Sequence, residues 1–87
     1  MTYSVEFSPS AAKALTKIDK TSQLRIAGVI ELLAFEPRPP TTKMLRGGDH
    51  GRWRVRVGDY RIVYTVEDDR LLVLVLRVAH RREVYAR

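Results

Sequence analysis

The chain has 87 residues, 45% of them hydrophobic, no cysteine and a formal net charge of +6. That suffices for one small domain over residues 1–87 with a buried core. It excludes a disulfide framework, thiolate chemistry and intrinsic disorder.

Thr2 to Ser8 alternates Tyr3, Val5 and Phe7 with polar residues and predicts a first strand. The opening "MTYSVEF" lacks the charged and then apolar profile of a secretion signal. The longest apolar run, Leu71 to Leu76, is far too short to span a bilayer. A cytoplasmic protein with no membrane partner is expected. Ser8-Pro9 offers an N-cap followed by proline at the first helical position. Ala11, Ala14, Leu15 and Ile18 then recur at helical spacing, so a first helix runs to about Asp19. Thr21 or Ser22 caps a second helix whose core face is Ile26, Val29, Ile30 and Leu33. Pro37 ends it, because a residue before proline avoids the helical region.

Residues 37–51, "PRPPTTKMLRGGDHG", read as a loop, with Met44 and Leu45 tucked against the core. "GRWRVRVGDYRIVY" follows. Its alternation puts Trp53, Val55 and Val57 on one face and Arg52, Arg54 and Arg56 on the other. Gly58-Asp59 suits a two-residue type II′ turn. The register then sets Val57 opposite Tyr60, Val55 opposite Ile62 and Trp53 opposite Tyr64. On the other face Arg56 meets Arg61, a like-charge pair that costs stability. Glu67 to Asp69 forms the next turn. Leu71 to Ala79 is a strand, apolar at successive positions and therefore interior. The fold class is α+β, β-α-α-β-β-β, with a two-helix hairpin on one face of an antiparallel sheet. The arginine face points away from the helices.

Residues 43–87 hold eleven basic and six acidic side chains, ten of the basic ones arginine. Guanidinium forks onto phosphate and stacks on bases, so nucleic acid is the leading partner class, with an acidic protein as the alternative. A solvated outer sheet face would also be polar by alternation. But this one uses arginine each time, with no acid on the hairpin face to separate Arg56 from Arg61, and that favours an anion-binding face. Tyr60, Tyr64 and Trp53 point to the core. Tyr85 sits in the polar tail "HRREVYAR" and either packs the tail onto the sheet or joins the basic face. His50 and His80 stand thirty residues apart without cysteine, which is no metal-ligand spacing, so neither metal nor cofactor is expected. His50 lies in a solvated glycine loop. His80 ends the apolar strand beside Arg81, where an imidazole could move a proton near neutral pH. "GGDHG" lacks the Lys and Ser/Thr of a phosphate-binding loop.

In combination, "KMLRGG…GRWRVRVGDYRIVY…VLVLRVAHRREVY" resembles the RelE/ParE toxin superfamily in its RelE-like branch, over the whole chain. The resemblance implies the fold of a small microbial ribonuclease and a type II toxin that cuts mRNA in the ribosomal A site by attack of the ribose 2′-oxygen on the adjacent phosphate. It also implies a cognate antitoxin, with an acidic and apolar segment over the basic face, and operator DNA bound only through the toxin–antitoxin complex. Arg54 and Arg56 fall where the branch carries two catalytic lysines. Arg61 matches its phosphate-binding arginine, Arg81 a C-terminal catalytic arginine, and Tyr85 the C-terminal tyrosine. Arginine for both lysines is a departure. A guanidinium stabilises charge but, with a pKa above about 12, shuttles protons poorly. The general base is then Tyr85 or His80, or the chain is a weak nuclease. The alternative function is ParE-like inhibition of DNA gyrase without RNA cleavage.

Overall fold

The computed structural model describes residues 2–39, 42–44 and 51–82. Its elements are β1 (Ser4–Phe7), α1 (Pro9–Thr16), α2 (Lys20–Phe35), β2 (Lys43–Met44), β3 (Arg52–Val57), β4 (Tyr60–Glu67), a 3-10 turn (Asp68–Arg70) and β5 (Leu72–His80). The strands form one sheet in the order β1-β5-β4-β3-β2.

The helices begin where side-chain oxygens can cap them. Ser8 Oγ accepts from Ala11 N at 3.1 Å, with Pro9 at the head of α1. The same hydroxyl donates to Leu76 O at 2.7 Å, which ties the start of α1 to β5. The cap of α2 is Asp19, not Thr21 or Ser22: its carboxylate accepts from Ser22 N at 3.1 Å. These hydrogen bonds hold the Asp19 carboxyl below its ordinary pKa. With Asp19 extended as a cap, α1 stops at Thr16, short of the expected end.

Two features of the sheet differ from the expectation. It is mixed, because β1 runs parallel to β5, pairing Val5 with Val73 and Phe7 with Val75. Side-chain alternation carries no information on strand direction, and β1 docks on the far edge of the β3–β4–β5 meander. The expected loop also contains β2, whose Met44 pairs with Trp53 and is 49% exposed instead of tucked into the core. Leu45 lies outside the described residues.

The hairpin register is the one that alternation predicts: Trp53 opposite Tyr64, Val55 opposite Ile62, Arg56 opposite Arg61, Val57 opposite Tyr60. Ile26, Ile30 and Leu33 of α2 pack on Val55, Val57, Ile62, Tyr64, Val73, Val75 and Val78, with Val29 and Trp53 at the margin. As expected, β5 is interior. It starts at Leu72 because Leu71 adopts a left-handed φ of 50°. Its register breaks once: Val63 pairs with Arg77, but the next residue, Tyr64, pairs with Val75. Leu76 is therefore a bulge. The bulge switches parity, so Val73, Val75 and Val78 all reach the core and Arg77 leaves it.

The segment after α2 is fastened to the sheet. Tyr64 donates its hydroxyl to Pro37 O at 2.6 Å. Arg38 lies 5.6 Å from the Trp53 ring centre and bonds Asp68, its Nη2 standing 2.6 Å from Oδ2; Tyr3 donates to Asp68 Oδ1 at 2.6 Å. Arg38 first, then Tyr3, holds the Asp68 carboxyl below its ordinary value. A lowered carboxylate pKa stabilises the fold above the unfolded value and loses that contribution as pH falls through the folded one. The cluster is exposed, so the effect is small. Asp68→Asn should lower the melting temperature slightly at about pH 7, and the difference from the parent should shrink as the pH is lowered through the folded carboxyl's titration.

Candidate active site

The turn between β3 and β4 organises the basic face. Gly58 has φ +60°, and Leu71 is the only non-glycine with positive φ among the described residues, so Asp59 is not left-handed. One positive φ, at the first central position, is the type II′ pattern. Gly58 also faces Arg25 of α2: a Cβ there would lie 3.3 Å from Arg25 Nη1. The guanidinium is flexible and can yield, so the backbone sets the cost of a side chain. Gly58→Ala should destabilise the fold by about 1–2 kcal/mol in urea titration.

Arg56, Gly58, Asp59, Tyr60, Arg61 and Arg81 line a cleft of about 230 Å³ at this end of the sheet. Three chain segments deliver its cations. Arg56 comes from β3, Arg61 from the facing position on β4, and Arg81 from the residue after β5. Arg81 is fixed by its backbone, whose N–H donates to Asp59 O at 2.7 Å. Its guanidinium stands 3.7 Å from Asp59 Oδ1, with the two side chains 66% and 64% exposed. A loose exposed pair of this kind contributes little energy and leaves most of the guanidinium's donors able to reach a ligand. Among the described residues Asp59 is the single carboxylate lining the cleft, against three guanidiniums. An anion with oxygens in several directions fits such a site.

The basic surface continues along the strands. Arg54 pairs with Lys43 on one side and with Val63 on the other, and Val63 pairs with Arg77. Lys43, Arg54 and Arg77 thus fall in one row across the sheet, next to the Arg56–Arg61 row. The sequence reading missed Asp59, Lys43 and Arg77 as contributors. Asp59 was read only as a turn residue. Arg77 was hidden by the bulge, although the spacing Val75, Val78 around it was a visible departure from strict alternation.

His80 is not brought to the cleft. It pairs with Tyr60 on the helix-facing side, their rings edge to face at 5.1 Å and 88°. Its Nδ1 accepts from Arg82 N at 3.1 Å. The reason is parity: Arg61 and Ala79 share one face, so the next residue along β5 points to the other. Tyr85 and His50 lie outside the described residues. Tyr60 packs at the margin of the core, as expected, and also lines the cleft. Among the described residues no group of three or more His, Asp or Glu side chains could hold a metal ion. No helix among them is long and apolar enough to cross a membrane.

Comparison with known proteins gives a consistent set of relatives. Residues 5–85 match the family model described as the ParE toxin of type II toxin–antitoxin systems, parDE. Toxin RelG of Mycobacterium tuberculosis is 34% identical over 91 aligned residues, covering all of both chains. Among solved structures, a chain of the RelBE2 toxin–antitoxin complex of M. tuberculosis superposes with a TM-score of 0.83 at 30% identity, covering 93% of this chain and all of that one. A chain of the RelE–RelB complex of the archaeon Pyrococcus horikoshii gives 0.81 at 29% identity, covering 93% and 97%.

Proposed function

The chain belongs to the RelE/ParE superfamily of type II toxin–antitoxin toxins, and from that premise we propose that it is a ribosome-dependent mRNA endonuclease acting as one domain over residues 1–87. The observation that carries this reading is the convergence of Arg56, Arg61 and Arg81 on one cleft.

The reaction is attack of a ribose 2′-oxygen on the adjacent phosphorus. A base takes the 2′-OH proton, the 5′-oxygen leaves and is protonated, and a 2′,3′-cyclic phosphate remains. Charge on the phosphoryl oxygens grows on the way to the transition state. Arg61 and Arg81 are aimed at that charge, and Arg56 and Arg54 extend the same field, so these groups bind the transition state better than the substrate. Guanidiniums do not accept the 2′-OH proton at neutral pH. With His80 on the helix side, Tyr85 is the residue we assign to contact the reacting ribose or move its proton. Tyr85→Phe should then lower the cleavage rate without lowering the stability of the fold. An unchanged rate would leave the ring as a stacking surface only. No step requires a bound cofactor.

Both structural relatives are held in toxin–antitoxin complexes. By the same logic this chain takes a cognate antitoxin, with an acidic and apolar segment over the arginine face, and the complex reaches operator DNA mainly through the antitoxin. Reversal of Arg54, Arg56 and Arg77 to Glu should weaken the complex strongly; affinity that survived would count against this placement.

The test of function is to express the chain and map mRNA ends with and without translating ribosomes. Cuts within translated codons, bearing cyclic phosphate and 5′-hydroxyl ends, are the expected result. Translation arrest without cleavage would refute the nuclease reading. A DNA-damage response in its place would select gyrase inhibition, which the ParE name of the matched family keeps in view.

A further inference from the structure

A second cavity, of about 610 Å³, lies on the helix side of the same sheet end. Ser10, Lys13, Ala14, Lys17 and Ile18 of the α1 region form one wall; Tyr60, Val78 and His80 form the other. Tyr60 lines both this cavity and the arginine cleft, and His80 directly precedes Arg81. The two hollows therefore adjoin across the edge of the β4–β5 pair. We propose that this cavity is a second nucleic-acid subsite, which takes a nucleotide flanking the phosphate held by Arg56, Arg61 and Arg81. The inference rests on the ribonuclease reading above and names how its substrate continues.

The chemistry of the walls fits a nucleotide. Lys13 in the last turn of α1 and Lys17 at its C-cap are spaced i,i+4, so they lie on one face at the C-terminal end of the helix. They suit a phosphodiester, as flexible point charges. Ala14, Ile18 and Val78 supply an apolar floor. Tyr60 and His80, set edge to face, supply aromatic surface of the kind on which single-stranded bases stack without sequence preference. Among the described residues no carboxylate lines this cavity. A strand that crossed the sheet end would pass from arginine to aromatic to lysine, with Asp59 the one acid among the described residues lining either hollow. A solvated helix face alone would explain the lysines. It would not explain why they border an apolar and aromatic hollow that adjoins the cleft.

The test uses the purified chain and a fluorescein-labelled, 2′-O-methylated octanucleotide, which cannot be cut. Its affinity is measured by anisotropy across a salt series. Each phosphate contact on a single strand contributes about 0.7 to the slope of log affinity against log salt. The variant Lys13→Gln/Lys17→Gln should lower that slope by about 1.4 and weaken binding several-fold at low salt. Lys20→Gln, outside the cavity, should leave both unchanged. A slope in the double variant equal to the parent's would overturn the subsite. So would a parent that does not bind the octamer, or an unchanged slope with weakened capture of an acidic protein segment. No ribosome is present in this assay, so absence of ribosomal cleavage by the parent would sink the ribonuclease reading without altering this readout.

Discussion

Arg61→Ala is expected to reduce ribosomal mRNA cleavage about a hundredfold or more, equivalent to about 3 kcal/mol of transition-state stabilisation. Arg61 faces Arg56 across the hairpin and lines the cleft that Arg81 enters from the end of β5. Its removal deletes an aimed cationic donor and relieves a like-charge pair, so the fold should be no less stable while the reaction slows. Arg81→Ala should have a comparable effect. Arg61→Lys should recover only part of the rate, because a point charge replaces a planar fork with two parallel donors. The readout is single-turnover cleavage on translating ribosomes, with thermal melting as the control. A full rate in Arg61→Ala would remove this residue from the mechanism.

Tyr64→Ala is expected to cost the fold about 3–5 kcal/mol, a large part of the stability of a small domain. Among the described residues Tyr64 is the largest fully buried side chain, and its hydroxyl donates to Pro37 O at 2.6 Å. The substitution opens a cavity beneath α2 and leaves that carbonyl without its partner. Tyr64→Phe isolates the second effect and should cost about 1–3 kcal/mol. Burial raises the Tyr64 pKa above the ordinary 10.0. A raised value means the folded state holds the proton more tightly. The contribution is therefore complete below the unfolded value and is lost as pH rises through the folded one. Urea titrations should show the parent losing stability above about pH 10, and Tyr64→Phe losing less over the same range.

The hairpin was the most legible part of the chain. Strict alternation over Arg52 to Val57 and a Gly-Asp pair suited to one turn type leave little freedom in register, and every expected pair is present. Its arginine face follows from the same pattern, and so does the opposition of Arg56 and Arg61. What failed to show lies in features that alternation does not encode. Strand direction is one, since β1 could have met β5 either way round. The bulge at Leu76 is another: an apolar run reads the same with or without it, yet it decides that Arg77 joins the arginine face and Val78 the core. The choice of Asp19 over Thr21 as a cap depends on where α1 stops. The contribution of Asp59 to the cleft is long-range, because Arg81 must return to the turn before it matters. The sequence reading put His80 at the end of the apolar strand beside Arg81 without assigning it a face, and its helix-side position follows from its pairing with Tyr60 across β4 and β5.

The central claim is that the arginine face does the chemistry, and one comparison addresses it directly. The parent chain and the triple variant Arg54→Ala/Arg61→Ala/Arg81→Ala are each expressed, checked for cooperative melting, and assayed for mapped mRNA cleavage on translating ribosomes. The account predicts codon-localised cleavage and growth arrest by the parent and neither by a folded triple variant. A folded triple variant that cleaves mRNA and arrests growth like the parent would contradict it.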